Sequence, residues 1–324
     1  MKKRTFLACA GLALVPAFGN AADAFPNKSI RLIVPFPPGG GSDATSRLIA
    51  NGLVTEQHWG VVVENRAGAA GNIGLDAVSR SRPDGYTLGV GQLSNLVIKP
   101  LLMPRMPYDP LKDFSFSFIG QISAQPVVLV VRADSPFKTL TDFVQAARKH
   151  PGTLGMAQAG NGTVGHLAGA LLAQKAGITV MQVPYKGASQ AMTDLLGGQV
   201  PLYFGGSVSV LSQVQSGAVR ALAVTSRERL AALPSVPTIA EQGFSDYEVD
   251  AWLGLLGPAN LSQNVVTDIN QALGMLLERE SIKSKILAEG SVPERGSAQA
   301  FAEKVRAEHS RWNALLEQAG IVAE

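Results

Sequence analysis

Cysteine is almost missing from these 324 residues and histidine is scarce: one of the first, four of the second. The single cysteine, Cys9, lies in an N-terminal stretch that reads as a removable leader, so the rest of the chain has no thiol. Disulfides, thiol catalysis and cysteine-ligated zinc are excluded there. His58, His150, His166 and His309 lack the H-x-H or H-E-x-x-H spacing that brings two imidazoles to one ion, so no metal and no cofactor is expected. A G-x-S-x-G nucleophile elbow is also missing. Ser207 follows Gly205 and Gly206, but the next small residue is Ser209.

The leader has three parts: basic Lys2, Lys3 and Arg4, the apolar run TFLACAGLALVPAF, and the small residues GNAADA. That order is a secretory signal peptide. Cleavage after Ala21, Ala22 or Ala24 fits, with Ala24 preferred because it leaves Phe25-Pro26 at the new terminus. The leader also holds most of the charge excess. The whole chain has 28 basic and 25 acidic residues, and beyond residue 24 the counts are 25 and 24. No basic stripe with interleaved aromatics suggests nucleic acid. No later apolar run reaches the roughly 20 residues of a membrane span. A soluble, exported, periplasmic protein is expected, without nucleic-acid partners and monomeric.

What remains alternates between strand-like and helix-like segments, the pattern of an α/β fold. SIRLIVPF, GVVVEN and DGYTLGVG read as strands around the helices ATSRLIANGLVTEQ and GNIGLDAVSRS. QPVVLVVRA opens a second series, which runs on to VRALAVTS. ERLAALPSVPTIAEQGF has two prolines and no long apolar run. After one more strand, QNVVTDINQALGMLLERESIKSKILAEG and SAQAFAEKVRAEHSRWNALLEQAG read as two long amphipathic helices. In the last, Phe301, Val305, Trp312, Leu315 and Leu316 can share one face. Residues 25–124 with 235–324 are expected to form one domain and 125–234 the other, with a cleft between them.

PFPPGGGSD, residues 35–43, joins the first strand to the first helix. Gly39, Gly41 and Ala44 satisfy G-x-G-x-x-A, and Glu64 ends the next strand about twenty residues on, which fits a dinucleotide fingerprint. Pro37 and Pro38 stiffen the turn, however, and Asp43 would repel a pyrophosphate. The exported chain also meets little nicotinamide cofactor. No Lys follows the glycines, so this is not a P-loop. A turn with a Ser42 or Asp43 cap is the plain alternative. A second copy of the arrangement favours a site: GMAQ leads into AGNGT and the helix VGHLAGALLAQ, capped by Thr163. Free N–H groups and the positive end of a helix attract anions, so two such ends facing across a cleft could hold a small carboxylate. Other strand-end stretches are NRAGAAGNIG, GQLSN with Ser94 and Asn95, VPYKGASQ with Tyr185 and Lys186, and YFGGSVS. His166 either meets a ligand or holds its own loop by bonding backbone.

These motifs together resemble the Bug family of periplasmic solute-binding proteins of tripartite tricarboxylate transporters. The resemblance is carried by PNKSIRLIVPFPPGGGSD, VVVENRAGAAGNIG, DGYTLGVG, MPYDPLKDF, GTVGHLAGALLAQKAG, VPYKGASQAMTDLLGGQV and LAVTSRERLAALPSVPTIAEQGF, and it covers nearly the whole mature chain. It implies a two-domain Venus flytrap fold, closing on a small carboxylate held by backbone amides, hydroxyls and water, with a membrane permease as partner and no reaction catalysed. Carried over, the first loop is 36–43, with Phe36, Pro38, Gly39, Gly40, Ser42 and Asp43. The second is 159–166, with Ala159, Gly160, Asn161, Thr163 and His166. Gly205 and Gly206 stand where the family often has an acid or amide, and GQLSNLVIKPLL departs from its polar, small-residue pattern. A wider or less polar pocket is expected, which argues against an amino-acid ligand. Two rivals stand beside this reading: a sensory protein binding the same ligand, and an exported hydrolase or isomerase using His166 with Ser207 or Asp43.

Overall fold

The structure, a computed structural model, describes residues 25–318 except 40, 104, 112–115 and 186. The leader, Gly40 and Lys186 therefore lie outside the described residues. The first half runs β1 (Ile30–Val34), α1 (Gly41–Gln57), β2 (Val61–Asn65), α2 (Asn72–Ser79), β3 (Thr87–Gln92) and α3 (Lys99–Leu102). A long strand, β4 (Phe116–Arg132), follows. Then come α4 (Leu140–Lys149), β5 (Gly155–Gln158), α5 (Val164–Ala176), β6 (Met181–Pro184), α6 (Ala188–Leu196), β7 (Leu202–Gly206), α7 (Ser207–Gln215) and β8 (Val219–Val224). The chain ends with β9 (Asp250–Pro258), α8 (Gln263–Glu278), α9 (Glu280–Ala288), β10 (Val292–Pro293) and α10 (Ala298–Gln318).

β4 ties the molecule together. Residues 116–126 pair antiparallel with β9, and Ser123 and Ala124 with β10. From Val127 onward the same strand pairs with β7 on one edge and β8 on the other. The strand-like run QPVVLVVRA covers only the second part of β4. Buried Gln121 and Ser123 interrupt its apolar pattern, and register shifts at Phe118/Gly120 and Gln121/Ser123 mark the bulges that absorb them. Parallel pairs β1/β2, β1/β3, β5/β6 and β5/β7 flank this antiparallel centre, so the sheet is mixed.

Each lobe has its own apolar packing. On one side Ile30, Leu32, Val90 and Leu253 of the sheet meet Ile49, Leu53, Leu276 and Ile286 of the helices. On the other, Val128, Val130 and Tyr203 meet Met192, Leu195 and Val210. The last long apolar segment before α10 is two helices, not one. Arg279 leaves the helical region at ψ 125°, and the turned α9 seats Ile282 and Ile286 in the first core. α10 buries the expected face: Phe301, Val305, Trp312, Leu315 and Leu316. Phe301 stands edge-on to Phe118 and Trp252. This is the two-domain periplasmic-binding-protein fold, with its cleft where β4 passes between the lobes.

Candidate functional site

A cavity of about 350 Å³ opens where the lobes meet. Gly41 and Ser42 at the start of α1 line it from one side. Ala159, Thr163, Val164 and Gly165, around the start of α5, line it from the other. A third helix start also reaches it: Gly206, Ser207, Val208 and Ser209, where β7 becomes α7. The first-turn N–H groups of a helix have no partner within it, and each N-terminus carries about half a positive charge. Three such ends thus face one small volume. Gln125 and Val127 of β4, Ala188, Tyr203, Phe204 and Ala251 complete the wall, and among the described residues no Lys, Arg, His, Asp or Glu lines it. Gln125 Nε2 and Ser207 Oγ are buried without a hydrogen-bond partner among the described residues.

The first loop is held from behind. Asp43 is buried, and its Oδ2 accepts from Gly39 N–H at 2.9 Å. Arg47 Nε donates to both carboxylate oxygens at 3.0 and 3.1 Å, and Asn65 Nδ2 donates to Oδ1 at 2.8 Å. Asn65 Nδ2 also donates to the Phe36 carbonyl (3.1 Å), and Arg47 Nη2 to Asn65 Oδ1 (2.8 Å). Burial pulls the Asp43 carboxyl upward, but hydrogen bonds from Arg47, Gly39 and Asn65, with the Arg47 charge, outweigh it and hold the group below its usual range. Asp43 is therefore fully engaged as a brace. Gly39 can give its N–H inward because it sits at φ +84°, the left-handed region that favours glycine.

The second loop is braced by neutral groups. Gln158 Oε1 accepts from Gly160 N–H at 3.1 Å, and Thr163 Oγ1 donates to Gly160 O at 2.7 Å. His166 Nδ1 accepts from Gly162 N–H at 3.1 Å, and burial lowers the imidazole's pKa, which keeps it neutral. His166 thus holds the loop through backbone; it lines a different cavity, with Ala170, Gln174 and Gln182. Thr163 caps α5 by accepting from His166 N–H. The N–H groups of Val164 and Gly165 are the first-turn donors of α5 not used by this cap. A Cβ on Gly165 would sit 2.4 Å from Phe204 O, so only glycine lets α5 approach β7 this closely.

Of the residues singled out in the sequence, Ser42, Ala159 and Thr163 line the cavity. Phe36 and Asp43, with Gly39, build the first loop, as Gly160, Asn161 and His166 build the second. Pro38 is an exposed turn residue. Others face elsewhere. Asn95 is buried and caps Gln92 N–H through Oδ1 (2.9 Å) within the turn that includes Ser94. Tyr185 donates to Asp194 Oδ2 at 2.7 Å. Gly205 points into the second core, where a Cβ would meet Tyr203 and Val210 at 2.5 Å, and Gly206 takes its place at the cavity. Gln125 was not singled out in the sequence, and Tyr203, Ser207 and Ser209 entered as cleft candidates only within the strand-end stretch YFGGSVS. That stretch is again a strand delivering glycines to a helix. Among the described residues no group of three or more His, Cys, Asp or Glu is placed to hold a metal ion.

Residues 45–321 match the family described as "Tripartite tricarboxylate transporter family receptor". Protein BugT of Bordetella pertussis is 33% identical over 317 residues, 97% of this chain and 95% of BugT. An R. palustris protein solved with adipate superposes at TM-score 0.80, with 32% identity, covering 93% of this chain and all of that one. MatC from Rhodopseudomonas palustris, solved with bound malate, superposes at 0.74, with 29% identity over 90% of this chain and all of MatC. The chain belongs to the tripartite tricarboxylate transporter receptor family and is a solute-binding protein of that family, not an enzyme.

Proposed function

We propose that this receptor-family chain is exported to the periplasm by residues 1–24, works as a monomer, and captures a small organic carboxylate for a tripartite membrane permease. The observation that carries the reading is the meeting of three helix N-termini on one cavity, with no charged side chain among the described residues of its wall. Such a wall attracts anions through backbone N–H groups and offers an ammonium group no carboxylate partner. Asp43, the acid nearest the α1 end, is already occupied by Gly39, Arg47 and Asn65. The ligand is thus an acid without a cationic group: a dicarboxylate, hydroxy acid or aromatic acid before an amino acid.

Carboxylate oxygens meet the N–H groups at Gly41, Ser42, Val164 and Gly165, directly or through water. The lobe of residues 25–124 with 235–324 closes on that of 125–234, and the closed form is what the permease recognises. The adipate and malate found in the two solved relatives support this class. Thermal unfolding of the purified protein against mono-, di- and tricarboxylates, aromatic acids and amino acids tests it. A ligand at about a hundred times its Kd adds roughly 2.7 kcal/mol. No shift with any carboxylate, or a larger shift with amino acids than with all the plain acids, overturns the reading.

A further inference from the structure

β4 and β9 are neighbours where the chain passes between lobes, with Gln125 opposite Ala251 and Pro126 opposite Asp250. Successive side chains of a strand point to opposite faces. Gln125, Val127 and Ala251 line the carboxylate cavity, whereas Ala124, Pro126 and Asp250 line a second cavity of about 520 Å³. The two cavities therefore lie on opposite faces of one strand pair, at the point about which the lobes must bend. The second cavity is also walled from both lobes, by Leu287, Val292 and Glu294 on one side and by the segment from Ser226 to Ala231 on the other.

Asp250 is the unusual group in this rear cavity. Its Oδ1 is buried and has no hydrogen-bond partner among the described residues, and Pro126 opposite it has no N–H to give. Acids surround it: Glu248 two residues away, Glu294 after β10, and Glu308 on α10. Glu228 lines the same cavity. The cations are Lys304 on α10, Arg227, which pairs with Glu248 at 3.4 Å, and Arg229, which pairs with Glu241. Arg311, also on α10, is engaged with Glu308 and with the Glu248 carbonyl. Burial first, then the Glu248 charge, push the Asp250 carboxyl up to about 7, against the pull of Lys304. Burial raises Glu294 as well.

We propose that Asp250 is a proton-operated spring behind the hinge, so that its ionisation drives the rear cavity open and the carboxylate cleft shut. An ionised carboxylate seeks water, and water reaches Asp250 when the rear cavity gapes. Because the cavities are on opposite faces of the same strands, gaping behind is closing in front. By linkage, whatever closes the front also releases the proton from Asp250. That the front cavity is the carboxylate site is taken from the reading above; the lever itself does not depend on it. If closure lowers the Asp250 pKa by about one unit, affinity rises roughly tenfold from acid to alkaline pH.

Spin labels at Ile73→Cys on α2 and Ser189→Cys on α6, both exposed and in a chain with Cys9→Ser, report lobe spacing without ligand. The expected result is a shift to shorter distances between about pH 5.5 and pH 8.5, absent in D250N, which stays at the low-pH distribution throughout. In E294Q the midpoint moves to lower pH, because a like charge beside Asp250 is gone. Spacing independent of pH in the wild type, a retained shift in D250N, or an unmoved midpoint in E294Q overturns the proposal. Malate and adipate, added at pH 8.5 with the rest of the acid panel, form a separate arm. If none shortens the spacing, the reading of the front cavity fails while the pH result stands.

Discussion

The two loops that face the cleft reach the same end by different chemistry. Each must keep the first N–H groups of a helix free while satisfying the N–H groups of its own turn. The first loop does so with an ionised acid, Asp43, locked by Arg47 and Asn65. The second does so with an amide and a neutral imidazole, Gln158 and His166. The comparison separates holding a ligand from holding the loop that holds it. In both loops the conspicuous titratable side chain belongs to the second task, and the described residues of the cavity wall carry no charge.

Removing the ionic brace is the strongest way to break this comparison. Asp43→Ala strands Gly39 N–H, Asn65 and Arg47 together. Denaturant unfolding is expected to show a loss of about 2–3 kcal/mol, with carboxylate affinity falling at least tenfold by calorimetry. A variant that binds as well as the wild type places the first loop's geometry outside binding. Next in size is Gly165→Val, whose side chain drives α5 off Phe204 O. Affinity is expected to fall about tenfold while the helix content by circular dichroism holds, since α5 can shift without melting.

Acid is expected to distinguish the loops. His166 has a folded pKa below its ordinary 6.5, so its brace is fully present above pH 6.5 and is lost as pH falls through the lowered value. A protonated Nδ1 cannot accept from Gly162 N–H. Asp43 follows the same sign from 3.8, so its brace fails only in stronger acid. In D250N, which removes the Asp250 step, calorimetry is expected to show affinity weakening in an early step that adding His166→Gln removes and a later step that it keeps. The smallest effect expected is Thr163→Ala, about 1 kcal/mol in unfolding for a lost cap.

Legibility followed the range of the interactions. The starts of α1 and α5 were readable because glycines, a cap and apolar periodicity are all local. The Asp43–Arg47 pair is itself local, an i, i+4 pair on a helix, yet Asp43 read as a ligand contact because Asn65 joins it only through the fold. α7 was hidden because its N-cap, Gly206, offers no side-chain hydrogen bond. Ser94, Asn95 and Tyr185 looked like cleft residues from their places at strand ends. The fold sets Asn95 against Gln92 and Tyr108, and Tyr185 against Asp194. β4 was only half legible because buried Gln121 and Ser123 interrupt its apolar run.

By itself the sequence determined the alternation of strands and helices, the lack of thiols beyond Cys9, the absence of metal-ligand spacing from its motifs, and two of the three helix starts that line the cavity. These depend on neighbours in the chain. Only the tertiary structure decided that a third helix end joins them, that Asp43 and His166 bond their own loops, and that Asp250 lines a second cavity on the opposite face of the strands. Those outcomes depend on which face of a strand meets which lobe, and strands far apart in the chain set that by their register.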